Sequence, residues 1–91
     1  LVNIISADKL ALLNVAFPEP ASCYALRPEH VLRSENPADM VAVVQHVAFR
    51  GSVSEVDVAV GRLRLMLFSP RPDVVPGEEI RIRVAPEHLV P

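Results

Sequence analysis

The residues of this 91-residue chain that could do chemistry are three histidines, one cysteine and an Arg-Gly-Ser triplet. Nucleophilic catalysis needs a thiol or hydroxyl beside an oriented imidazole. His30, His46 and His88 are scattered, and no Gly-x-Ser-x-Gly elbow is present. Cys23, followed by Tyr24 and Ala25 in an extended stretch, reads as a small core residue rather than a reactive thiol. Hydrolysis of a nucleotide on a phosphate-cradling loop requires clustered glycines followed by Lys and Ser/Thr. Gly51, Gly61 and Gly77 stand alone, and none precedes such a pair. No catalytic residue is assigned.

A metal centre would need ligands grouped as in Cys-x-x-Cys, or histidines sharing one face. Neither is visible, and no metal ligand is assigned. His30 and His88 each follow a glutamate, in Arg27-Pro28-Glu29-His30-Val31 and Ala85-Pro86-Glu87-His88-Leu89. Should these two corners be neighbours in space, the imidazoles would meet. The plainer reading is a proline corner with a solvated Glu-His pair at each place. Phe49-Arg50-Gly51-Ser52 is the candidate small-ligand contact. Gly51 permits unusual backbone angles, and Arg50 and Ser52 supply donors for an oxyanion. A glycine bend between two strands is the competing explanation.

Composition bounds what these residues can serve. Ninety-one residues form one small domain. The chain is 51% hydrophobic, yet its longest apolar run, Met40-Val41-Ala42-Val43-Val44, falls far short of a spanning helix. The surplus apolar surface suits a tight core and a contact face for another chain. Net charge is −2, with Lys9 the sole lysine, and the aromatic residues are Phe17, Tyr24, Phe49 and Phe68. Single-stranded nucleic-acid sites combine a basic groove with aromatic platforms, so neither nucleic acid nor direct membrane insertion is expected. The lone thiol fits a reducing compartment. Opening on Leu1-Val2-Asn3-Ile4-Ile5, without an initiator Met, the chain is expected to be a segment of a longer protein.

Nine prolines and three glycines cut the sequence into short, β-branched pieces, the texture of a small sandwich or barrel. Leu10 to Phe17 reads as a strand stopped by Pro18-Glu19-Pro20, and Ser22 to Arg27 as one ended by Pro28. After a turn at Asn36-Pro37-Ala38-Asp39, Met40 to Phe49 is apolar on both parities. It is therefore buried on both faces or bulged near Gln45 and His46. Alternation is then regular: Val56, Val58 and Val60; Leu63, Leu65 and Leu67; Ile80, Ile82 and Val84. A hairpin at Gly61 should place Asp57 opposite Arg62 or Arg64 on the wet face. The loop from Pro70-Arg71-Pro72 to Pro76-Gly77 precedes the last strand, and Pro86-Glu87-His88 predicts one helical turn with proline first. The expected fold is all-β, an antiparallel barrel or sandwich of about five to six short strands.

The order of these motifs resembles the TOBE domains, the OB-like C-terminal domains of ABC importer ATP-binding subunits. The resemblance rests on the Arg27-Pro28-Glu29-His30 corner, Val43 to Val47, Phe49-Arg50-Gly51-Ser52, the strands around Gly61, and Pro76-Gly77 through Pro86-Glu87-His88-Leu89. It covers roughly residues 22–89. The Ser/Thr-Ala-Arg-Asn opening of the molybdate-binding subtype is missing. The resemblance implies a linker or N-terminal strand of the parent chain over 1–21 and the OB-like domain over 22–91. It implies regulation or dimerisation in uptake of a small solute (iron, polyamine, sugar or oxyanion), with solute or oxyanion sensing as the alternative. This segment would be no enzyme and hold no cofactor, ATP and Mg²⁺ belonging to the parent chain. Implied partners are its own ATPase domain, a second ATPase subunit in a homodimer and the membrane subunits, on the cytoplasmic face of the cell membrane.

Overall fold

A computed structural model describes residues 2–13, 22–70 and 74–91 of the chain. Seven strands lie in two antiparallel sheets among these residues, with no α-helix. The strands are β1 (Asn3–Ser6), β2 (Cys23–Leu26), β3 (Val31–Ser34), β4 (Met40–Arg50), β5 (Val53–Val60), β6 (Leu63–Ser69) and β7 (Glu79–Val84). β1 pairs with β2, while the larger sheet runs in the order β3-β7-β4-β5-β6. The all-β, small OB-like expectation holds, with seven strands rather than five to six. β1 and β3, four residues each, are the additions.

Inner faces of both sheets share one core. Val56, Val58, Leu65, Leu67 and Ile82 from the large sheet cluster with Ile5, Tyr24 and Leu26 from the small one. Alternation explains this: along β5 and β6 every second residue is buried, as a half-solvated sheet requires. The segment Ala7–Leu13 adds Leu10 and Leu13 to the same core. It is a 3₁₀ helix, not the start of a strand from Leu10. The rest of that expected strand, with its Pro18-Glu19-Pro20 stop, lies outside the described residues, as do Arg71 and Pro72.

β4 serves two neighbours. Met40 to Val43 pair with β7, and Val43 to Arg50 pair with β5. The register shifts between Val44 and His46, which puts the bulge at Gln45. An extra residue bends a strand and increases its twist, which turns β4 from one partner to the next. This accounts for the doubled apolar parity of its sequence.

Two-residue turns close both long hairpins. Gly51-Ser52 joins Arg50 to its partner Val53, and Gly61-Arg62 joins Val60 to Leu63. Both glycines have positive φ, 70° and 58°, as the first central residue of a primed hairpin turn must. So tight a turn at Gly61 fixes the register: Asp57 lies opposite Met66, and Arg64 opposite Ala59. The expected pairing of Asp57 with Arg62 or Arg64 is therefore incorrect. Asp57 instead has His46 Nδ1 at 3.9 Å from its carboxylate, across the β4–β5 pairing.

Candidate functional site

The two proline corners meet. Pro28–His30 and Pro86–His88 are each a single 3₁₀ turn with proline at the first position, where its missing N–H leaves no donor unmet. The turns are held by backbone bonds, His30 N–H to Arg27 O at 3.0 Å and His88 N–H to Ala85 O at 3.1 Å. Val31 and Leu89, each following the histidine, are buried, so both rings hang from anchored backbone.

Sheet register explains the meeting. β3 pairs with β7 through Val31 and Val84, which sets the turn entering β3 beside the turn leaving β7. Beyond the second turn, Val90 pairs with Ala25 of β2; Ala25 N–H donates to Val90 O at 2.7 Å and Val90 N–H to Ala25 O at 3.0 Å. The first corner runs strand, 3₁₀ turn, strand; the second runs strand, 3₁₀ turn and the single bridging residue Val90, so the two are paired at both ends. Ala25 to Val31 and Val84 to Val90 span equal lengths of chain between those pairings. The two echoed turns are thereby brought side by side. The His30 and His88 rings stack with centroids 3.8 Å apart and planes at 16°.

Arg27, Glu87 and both histidines border an open cavity of about 510 Å³, whose other lining residues are Val2, Ala25 and Val90. Glu29 sits 3.9 Å from the Arg27 guanidinium in an exposed pair. Val2, Ile4 and Val90 are exposed aliphatics, and Ile4 lies opposite Ala25, which bridges to Val90. The outer face of the small sheet is accordingly greasy up to the edge of the histidine pair. Sequence reading passed over this face. Its signal was Val2 and Ile4, two residues apart at the start of a strand too short to recognise.

No group of three or more His, Cys, Asp or Glu among the described residues is arranged to hold a metal ion.

The Arg50-Gly51-Ser52 triplet is elsewhere, at the tip of the β4–β5 hairpin, and all three residues are exposed. Arg50 Nε lies 3.4 Å from the Glu55 carboxylate, so the cation intended for an oxyanion already faces an anion. Gly51 is required there by its φ of 70°. Nearby Phe49 is 68% exposed. Cys23 is also exposed, contrary to its expected place in the core. Strand pleating decides this: Tyr24 and Leu26 are the buried residues of β2, so Cys23 and Ala25 take the opposite face.

No helix of the described residues is long and apolar enough to cross a membrane. No curated protein matches the chain. A family match supplies what single relatives do not: residues 24–91, covering both proline corners and all five strands of the large sheet, match the TOBE domain, and the chain belongs to that family.

Proposed function

We propose that this chain is the C-terminal regulatory and dimerisation domain of the ATP-binding subunit of an ABC-type importer for a small solute. The family membership carries this reading. The outer face around Val2, Ile4 and Val90 supports the dimerisation part, because small soluble domains rarely leave contiguous aliphatic surface uncovered without a partner. The domain itself does no chemistry. Its role is to join its own ATPase domain to a second subunit at the cytoplasmic side of the membrane, with ATP and Mg²⁺ bound by the parent chain. Symmetric pairing is the expected arrangement for two identical subunits.

The reading frame that encodes this chain tests the parent's identity. A Gly-x-x-x-x-Gly-Lys-Ser/Thr motif upstream in the same frame is expected, and a complete frame without one contradicts the proposal. The alternative, a solute- or oxyanion-sensing module, is not favoured by the hairpin tip, where Arg50 faces Glu55 in the open. A ligand at about 100 times its dissociation constant stabilises its protein by about 2.7 kcal/mol. A thermal-shift panel of molybdate, tungstate, sulfate, ferric complexes, sugars and polyamines is expected to move the melting temperature with none of them.

A further inference from the structure

We infer that the outer face of the large sheet carries a site for a small zwitterion, a free α-amino acid, between Asp57 of β5 and Arg64 of β6. The inference does not rest on the importer reading, and the site does not include the hairpin-tip triplet. Alternation puts Asp57, Arg64 and Met66 on the side away from the core, because Val56, Val58, Leu63, Leu65 and Leu67 are buried residues of these strands. Asp57 is paired with Met66, and Arg64 stands two residues before Met66. The two charged residues are thus diagonal neighbours, about 7–8 Å apart. His46 lies opposite Asp57 on β4, next to the bulge at Gln45, and bulges re-aim the side chains around them. An open cavity of about 400 Å³ covers this row, with Asn3, Gln45, His46, Asp57, Arg64 and Met66 in its lining. That volume falls in the range of small-ligand sites.

The charges of the hollow decide what fits it. Arg64 is exposed, and among the described residues its guanidinium makes no ion pair or hydrogen bond. Asp57 shares its face without pairing with it; the Asp57 carboxylate has His46 Nδ1 at 3.9 Å, beyond hydrogen-bond reach. A lone anion on Arg64 would meet the Asp57 carboxylate, and a lone cation on Asp57 would meet Arg64. A molecule carrying both charges satisfies both groups at once. Its carboxylate takes the planar fork of the guanidinium, and its ammonium donates to Asp57. Gln45 adds an acceptor, since its Nε2–H donates to Val43 O at 3.3 Å and leaves Oε1 for the ammonium. Asn3 is committed to the Met66 backbone, at 3.0 and 2.7 Å, and forms a fixed wall. The half-buried Met66 side chain offers an adaptable apolar surface to the side chain of the ligand.

The test is a titration of the isotope-labelled chain followed by amide NMR shifts, with L-leucine and its two singly charged halves, 4-methylpentanoate and 3-methylbutylamine, as probes. Leucine should give saturable shifts at Gln45, His46, Asp57, Arg64 and Met66. Each half should bind at least about tenfold more weakly, the loss of one charge-assisted hydrogen bond. Arg64→Gln and Asp57→Asn should weaken leucine by a similar factor, and the same spectra report whether each variant is folded. The wild-type probe series decides the matter on its own if a variant does not fold. No saturable shift at these residues up to the solubility limit of leucine would overturn the site. Equal binding of leucine and either half, or undiminished leucine binding by a folded Arg64→Gln chain, would overturn it as well.

Discussion

At the residue scale, Asn3 constrains the edge of the large sheet. β6 lies at the edge of the large sheet, so one of its sides has no neighbouring strand of that sheet. Asn3 Nδ2–H donates to Met66 O at 3.0 Å, and Met66 N–H donates to Asn3 Oδ1 at 2.7 Å. The carboxamide thus imitates one residue of a neighbouring strand. Replacing Asn3 by Ala leaves both Met66 groups without these part-buried partners, and urea denaturation should show a loss of about 1–3 kcal/mol. Asn3→Asp should do no better, because a carboxylate cannot donate to the Met66 carbonyl. A stability within 0.5 kcal/mol of wild type for both variants would show that water replaces the amide fully. In the core, Ile82 is fully buried, and Ile82→Ala should cost about 2–5 kcal/mol by the same measurement.

Elements differ in how plainly the sequence announces them. β5, β6 and β7 are legible because one face of each is buried and the other more exposed, so Val, Leu or Ile recurs at every second position: Val56, Val58 and Val60; Leu63, Leu65 and Leu67; Ile80, Ile82 and Val84. β4 was legible as a strand, and its doubled parity pointed to the bulge that the structure places at Gln45. β1 and β3 are only four residues long, too short for a period of two to stand out from chance. The 3₁₀ segment Ala7–Leu13 buries Leu10 and Leu13, three residues apart as one face of such a turn places them, in a stretch whose end was taken above for the beginning of a strand. The candidate site was half legible. The echoed Pro-Glu-His corners could be seen, but their contact depends on the long-range pairings Val31 with Val84 and Ala25 with Val90. The turn at Gly61 gives the prediction proper to this scale. With φ at 58° and only ordinary contact to Leu12 awaiting a Cβ, Gly61→Ala is strained by backbone conformation rather than by space. It should destabilise the domain by about 1–2 kcal/mol in thermal or urea unfolding, and Gly61→Asn, which tolerates this region better, by less.

At the scale of the whole molecule, two layers share one core, and the outer face of the smaller layer remains greasy. Ile4 is 62% exposed and Val90 59% exposed, so neither contributes much to folding. Their place is continuous with the histidine corner. A surface of this kind suits a second copy of the chain, each contributing the same patch about a two-fold axis. Sedimentation velocity over a concentration series, on the wild-type chain and on Ile4→Asp, tests the proposed role in dimerisation most directly. The wild type should sediment as a concentration-dependent dimer, and Ile4→Asp as a monomer whose unfolding midpoint is essentially that of the wild type. A wild-type chain that stays monomeric at the highest concentration would contradict the account.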